Sequence, residues 1–328
     1  MWAARSDDLP WPRDVPAPGP ELVVVINPGS GEHDATATRD ALARVFGSAG
    51  RAFRFVAIAT PADLARAADH AARECAERGT VLVAAGGDGT INSVAQAAWH
   101  HGCLFGVLPQ GTFNYFGRDH GIAQDLEQAA TALLHADEQP VQVGEVNGRL
   151  FLVNASLGLY PQLLEDRETF KQQLGRHRWV AMLSGVVTVF KWRRQLALDL
   201  ELDGQTTRVL SPTLFVGNNR LQLERIGMEP AIAARVGEGR LAALMPHPIG
   251  SWKLLWLALR GALGRLGDAN GIDGAAFRNL TVQVRRARRV KVATDGEVTM
   301  MAPPLQFRVS DRPLRLMLPR PDHRVPVE

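Results

Sequence analysis

The chain has 328 residues, of which 46% are hydrophobic and 22% charged, and its formal net charge is +3. That length suits two domains, or one large one, each able to bury its own core. So small a net charge sets up no global field for nucleic acid, two cysteines (Cys75 and Cys103, no CxxC) exclude a disulfide scaffold and a structural zinc site, and no run reaches the roughly eighteen apolar residues of a membrane span. The first twenty residues hold Asp7, Asp8 and five prolines where a signal peptide needs an apolar run, so 1–20 reads as a flexible leader. The protein is expected in the cytoplasm, free or resting on the inner face of the membrane.

Leu22 to Ile26 is the first strand, and it ends in the small-residue turn Asn27-Pro28-Gly29-Ser30-Gly31. A helix follows to about Phe46, then a strand from Phe53 to Ile58 closed by Thr60-Pro61. Ala62 to Arg78 is helical, with Leu64, Ala68, Ala71 and Cys75 on one stripe, so Cys75 reads as a buried, inert thiol. Val81 to Ala85 is a buried strand that runs into Gly86-Gly87-Asp88-Gly89-Thr90, and a helix then starts with Ile91, Val94, Ala95 and Ala98 on one face. Leu104 to Leu108 is a fourth strand, leading to Pro109-Gln110-Gly111-Thr112, and Asp125 to His135 is a further helix.

Alternating strands and helices predict a parallel sheet covered by helices on both faces. Three turns at strand C-termini, 27–31, 86–90 and 109–112, combine Gly with Ser or Thr, and in such a sheet they line one crevice. A strand, a glycine-rich turn and a helix N-terminus make a site for phosphate. Asp88 repels phosphate, so it fits there only with a metal ion or a substrate hydroxyl between them. A tight strand-to-helix turn with an Asp cap has the same local pattern.

From about Val141 the rhythm changes. Residues 151–154, 196–202, 213–216 and 280–284 read as strands, several of them alternating, and Leu202-Asp203-Gly204-Gln205 is a hairpin turn. The fold class is therefore an α/β N-terminal domain with a parallel sheet plus a β-rich antiparallel C-terminal domain with two helical insertions. The expected boundaries are 21–137 for the nucleotide-binding domain, 138–318 for the β-rich domain that takes the substrate, and 319–328 for a tail. Trp179, Met182, Leu183, Val186, Val187 and Phe190 recur at helical spacing between clusters of cations, as do Trp252, Leu255, Trp256, Leu259 and Leu263. Such stripes suit either a β-domain core or a membrane interface. Arg285, Arg286, Arg288, Arg289 and Lys291 fall within seven positions and suit either anionic headgroups or a charged edge strand. His247, between two prolines, reads as structural.

Asn27-Pro28-Gly29-Ser30-Gly31, Gly86-Gly87-Asp88-Gly89-Thr90, Pro109-Gln110-Gly111-Thr112-Phe113-Asn114 and Asp295-Gly296-Glu297 occur in this order. Together they resemble the diacylglycerol kinase catalytic-domain family, which includes bacterial lipid kinases, sphingosine kinases and ceramide kinases. The resemblance runs from about Leu22 to Leu318. GGDGT alone is shared with NAD kinases and 6-phosphofructokinases, and the nucleotide half is expected to be like theirs.

The resemblance implies an ATP- and Mg²⁺-dependent transfer of the γ-phosphoryl group to a lipid hydroxyl at a membrane surface, with no nucleic-acid partner. It implies that Asn27, Pro28, Gly29, Ser30 and Gly31 approach the phosphates, that Thr60 lies near the nucleotide, that Gly86, Gly87, Gly89, Thr90, Ile91, Asn92 and Ser93 flank the phosphates, and that Gly111 and Thr112 close the pocket. No GxxxxGK[ST] occurs, so no P-loop lysine serves ATP. Asp88, Asp295 and Glu297 are the acids suited to catalysis. On one strand, 295 and 297 project to the same face, where two carboxylates can hold Mg²⁺ or one can take a proton. The family suggests Glu297 as base, with Asp88 and Asp295 near the metal; Asp88 is the other candidate base. An ordinary hairpin turn is the plain alternative for Asp295-Gly296-Glu297.

Two departures stand out. The family's turn continues Asn with Asp, and here Tyr115 follows Asn114. Where relatives carry an Asp-rich loop for a structural Mg²⁺, this chain has Val236-Gly237-Glu238-Gly239-Arg240, leaving Glu238 as the sole acid of that site. A kinase of a soluble substrate such as NAD, and a non-catalytic lipid-binding protein with a degenerate kinase fold, are the competing readings. The particular lipid and the oligomeric state, a homodimer included, stay open.

Overall fold

The computed structural model describes residues 19–27, 35–58, 60–159, 161–162, 195–202, 204–247 and 272–327. Pro28, Gly29, Ser30 and Gly31, most of the leader, and both tryptophan-bearing stripes lie outside the described residues.

The first sheet has the order β2 (Phe53–Val56), β1 (Leu22–Ile26), β3 (Val81–Gly86), β4 (Leu104–Pro109), β18 (Leu314–Pro319), β5 (Ala136–Val141). All its pairs are parallel except β18 with β5. Every residue of β1 and β3 is buried, because a parallel sheet is covered on both faces and its strands read as unbroken apolar runs. Helices α1 (Ala35–Ser48) and α5 (Leu126–Leu134) pack together on the sheet, as do α2 (Leu64–Arg78) and α3 (Asp88–His101), and the short α4 (Tyr115–Asp119) follows β4. On α2 the apolar stripe Leu64, Ala68, Ala71, Ala72 and Cys75 is the buried one, and Gly79 at φ 67° ends the helix in the left-handed region. Burial pushes the Cys75 thiol up, in keeping with an inert core residue.

Two further sheets stack as a sandwich. One runs β10 (Gln205–Ser211), β9 (Leu196–Leu202), β14 (Asn279–Val284), β17 (Leu305–Val309), β6 (Gly144–Val146), β7 (Arg149–Phe151). The other runs β13 (Ile272–Phe277), β12 (Leu241–Pro246), β11 (Thr213–Gly217), β8 (Asn154–Gly158), β15 (Val290–Thr294), β16 (Glu297–Met301). The pairs in both are antiparallel. Leu280, Val282 and Val284 of one meet Leu157, Val216 and Val292 of the other in a shared core. Alternation is the signature of that half-buried state, and β14 shows it residue by residue. The α/β domain and the antiparallel domain are thus as the residue pattern predicts.

The domain limits differ from the linear division. Strands β5 and β18 both belong to the first sheet, so the chain leaves that sheet after 141 and comes back to it at 314. Periodicity reports a strand's faces but not its neighbours, and the return of β18 beside β4 is a long-range pairing.

Candidate active site

In the first sheet the order 2-1-3-4 reverses direction between β1 and β3, so the switch point lies there, outside the strand C-termini. Along that edge stand, side by side, Thr60 beyond β2, Asn27 beyond β1, Gly86 to Thr90 at the end of β3, and Gly111 to Asn114 beyond β4. Asn27 Nδ2 reaches Thr90 Oγ1 at 3.5 Å, the outer limit of a hydrogen bond. Thr60 is exposed, and both its N–H and its hydroxyl donate to Asp63, in a capping box.

The β3 and β4 turns touch backbone to backbone. A Cβ added at Gly111 would stand 3.0 Å from Gly87 Cα and 2.6 Å from Asn114 Oδ1, so only glycine allows that approach. Gln110 N–H donates to Gly86 O at 2.8 Å. Asn114 adopts φ 46°, a left-handed conformation that asparagine tolerates, and its side chain accepts from Gly111 N–H at 2.9 Å and donates to Gly111 O and Gln124. Gly87 caps α3, and Asp88 occupies its first turn. The Asp88 carboxylate accepts the Asn114 N–H at 3.2 Å. Burial raises its pKa, and the Asn114 and Tyr115 amides oppose that shift.

One face of α3 links this edge to the sandwich. Asp88, Asn92 and Gln96 are four residues apart and so lie on one stripe. Asp88 meets the Asn114 turn, Asn92 Nδ2 donates to Asp295 Oδ2 at 2.5 Å, and Gln96 Oε1 accepts from Leu150 N–H at 2.8 Å. Asn92, expected beside the phosphates, is aimed at Asp295 instead, and Ile91 is buried in the core. Gly89 is exposed on the first turn, and Ser93 is half-buried on the second. Thr112 is exposed beside Gly111.

Asp295 and Glu297 do not share a strand face. Thr294 ends β15 and pairs with Glu297, which starts β16, so Asp295 and Gly296 are the two turn residues, at φ 48° and 92°. That is the hairpin geometry that Asp-Gly favours. The turn backbone is half-exposed, but the carboxylate points inward and accepts four hydrogen bonds: Leu152 N–H at 2.6 Å, Val153 N–H at 2.9 Å, Asn154 N–H at 2.8 Å and Asn92 Nδ2. Burial pushes its pKa up to about 6, against the pull of those donors. Glu297 is half-exposed and accepts from Arg149 at 2.5 Å, while the same arginine donates Nε to Thr294 Oγ1 at 2.9 Å. Arg149 therefore braces both sides of the turn.

The other acids lie apart. Glu238 sits between Gly237 and Gly239, both with positive φ, in the loop after the short helix α7 (Pro230–Ala233). Among the described residues no group of three or more His, Cys, Asp or Glu is gathered as a metal cluster. Asp119, which sequence reasoning did not single out, accepts the Leu221 N–H at the start of α6 (Arg220–Arg225), and burial raises its pKa. Asn219, the α6 cap, donates to Tyr115 O, and Gln222 accepts from Asn154, so α6 ties the β4 turn to the sandwich. Tyr115 lies stacked on Phe113, with ring centroids 5.8 Å apart, and the Arg225 guanidinium is 5.8 Å from its ring centre. An aromatic pair thus stands on either side of Asn114.

Residues 21–146 match the family model for the diacylglycerol kinase catalytic domain. A Pseudomonas aeruginosa protein described as "Probable lipid kinase YegS-like" is 33% identical over 249 residues, 73% of this chain and 76% of that protein. The chain belongs to the diacylglycerol kinase family of lipid kinases. A Bacillus subtilis member of the family, described as "Diacylglycerol kinase", is 32% identical over 250 residues, 72% of this chain and 77% of that protein. The fold is shared with a Bacillus anthracis crystal structure described as a diacylglycerol kinase, with a TM-score of 0.63 at 18% identity over 92% of this chain and 97% of that one. In this family member no helix of the described residues is long and apolar enough to cross a membrane.

Proposed function

We propose that this kinase transfers the γ-phosphoryl group of ATP, with Mg²⁺, to the hydroxyl of a lipid, diacylglycerol or a relative of it, at a membrane surface. One observation carries the reading: a single face of α3 joins the phosphate-type turns of the parallel sheet to the Asp295-Gly296-Glu297 turn of the sandwich. Phosphoryl transfer needs the two substrates positioned, charge neutralised and a proton taken from the attacking hydroxyl.

The α3 N-terminus and the Gly86–Thr90 turn offer backbone N–H groups to the nucleotide's phosphates. Asp88 is the acid beside them, and Mg²⁺ suits a site with one such carboxylate, since it is commonly held by one or two carboxylates with phosphate oxygens and water. Bound there, the ion would supply neutralisation of charge on the transferring group. Glu297 is the proton acceptor, because it is half-exposed and Arg149 holds it in place. We assign Asp295 a positioning role. Its four hydrogen bonds use the lone pairs that a metal would need, and they fix the turn that presents Glu297.

The test is incubation with γ-labelled ATP, Mg²⁺ and a panel of lipids in mixed micelles, beside Glu297→Gln and Asp88→Ala. Label in one lipid, lost in both variants, is the expected result. Folded wild-type protein that labels no lipid overturns the reading and favours a soluble acceptor such as NAD or a non-catalytic lipid binder.

A further inference from the structure

The sandwich has two unlike ends. The end beside α3 carries Asn154, Asp295 and Glu297. Strand register defines the other end. Thr213 pairs with Gly158, Pro246 with Ile272, Val290 with Met301 and Ser211 with Leu196, so all of these lie away from α3. Val284 pairs with Leu198, and the turn from β14 to β15 crosses between the two sheets at this same end. Five residue steps run from Val290 to Asp295, which puts the two ends roughly 16 Å apart, about the hydrocarbon thickness of one leaflet.

Two independent features gather at the far end. The β14–β15 turn holds Arg285, Arg286, Arg288 and Arg289, all exposed, with Arg289 donating to Met300 O at 3.1 Å. Leu210 and Met300, 53% and 46% exposed, are two of the four large hydrophobic residues exposed among the described residues, and both lie here. The nearby acids are engaged, Asp273 with His247 at 2.8 Å and Asp199 with Arg208 at 3.3 Å.

We propose that this far end, led by the Arg285–Arg289 turn, docks on an anionic lipid bilayer. The inference rests on the lipid-kinase reading for its purpose and adds the face that meets the membrane. Clustered cations gain attraction from a negative leaflet within a Debye length of it, and exposed apolar side chains among them add burial in the interface. Docked this way, the kinase turns its sandwich to the membrane and keeps the nucleotide edge in water.

The test is flotation of the full-length protein with vesicles of phosphatidylcholine alone or with added phosphatidylglycerol. Expected are binding to the anionic vesicles only, loss of binding as salt rises, and about tenfold or weaker affinity for Arg286→Glu with Arg288→Glu. Leu210→Ser with Met300→Ser is expected to weaken binding several-fold, and the distant control Arg73→Glu with Arg78→Glu on α2 to leave it unchanged. Circular dichroism checks each fold, and Arg286→Gln with Arg288→Gln replaces the reversal if that variant does not fold. Wild-type protein that ignores anionic vesicles, an arginine variant that floats like wild type, or equal binding to soluble heparin with no gain from a bilayer each overturns the proposal. A wild type that floats but phosphorylates no lipid overturns the kinase reading alone. Undiminished turnover of a monomeric short-chain lipid by the arginine variant supports docking as a separate function.

Discussion

At Gly86–Thr90 a strand runs into a helix, and at Thr294–Glu297 a strand doubles back into another strand. Each turn carries an aspartate, and the two aspartates do different work. Asp88 sits on the first turn of α3, where helical N–H groups are free for a ligand and its own carboxylate is tied by the Asn114 and Tyr115 amides. Asp295 has no helix end to face, and its carboxylate is spent on three consecutive amides of the neighbouring β7–β8 connection and on Asn92. An acid in a glycine-bearing turn can thus stand beside a helix N-terminus or be buried against a neighbouring connection, and the element that follows the turn decides which.

The sharpest way to break that contrast is to exchange function for stability at the two ends of one turn. Glu297→Gln is expected to lower lipid phosphorylation by about 10²–10⁴-fold, the usual worth of a general base, with little change in thermal stability because the side chain is half-exposed. Labelled-ATP turnover and a melting curve on the same sample check both halves. Asp295→Asn is expected to do the reverse first. It leaves the two donors that share one oxygen, Val153 and Asn154 or Leu152 and Asn92, facing an amide NH₂, at a cost of about 2–4 kcal/mol in urea unfolding, and activity falls only as the fold loosens.

Asp295 also predicts a pH dependence. Its folded pKa of about 6 exceeds the ordinary 3.8, so between those values the folded protein keeps a proton that the unfolded chain releases. Its contribution, about 3 kcal/mol, is fully present below pH 4 and is lost as pH rises through 6. A wild-type stability profile over that window no steeper than that of Asp295→Asn would refute the assignment. Gly111→Ala pushes a methyl against Gly87 Cα and is expected to cost about 1–3 kcal/mol and to weaken nucleotide binding, as calorimetry with ATP would show. The smallest effect is expected for Arg149→Met, which frees Glu297 to wander: kcat falls about tenfold while KM for ATP holds. A rise in KM for ATP would place Arg149 on the nucleotide instead.

Much of the first domain was legible because its strands are buried on both faces and its turns are local. Val81–Gly86 reads as an apolar run, and the glycine turn after it needs only neighbouring residues. The Asp295–Gly296 turn was legible as a hairpin but misjudged as one strand, since the same Asp-Gly pair that completes the motif also reverses the chain. Arg149 went unread although Asn147-Gly148 before it is itself a hairpin dipeptide, at φ 48° and 81°. A lone arginine after a turn has no local signature, and its partner is 148 residues away. The spacing of Asp88, Asn92 and Gln96 puts them on one helical stripe, but nothing local says that a second domain lies against it.

The sequence by itself determined the alternation of strand and helix, the three small-residue turns and the acids worth weighing, because each depends on periodicity or on residues adjacent in the chain. The tertiary structure alone decided that β18 returns to the first sheet, that α3 joins the two domains, that Asp295 is consumed by amides while Glu297 stays half-exposed against Arg149, and that the arginine turn lies at the opposite end of the sandwich from the Asp295-Gly296-Glu297 turn. Each of these is a pairing between distant segments, set by strand register and packing, which no local pattern encodes.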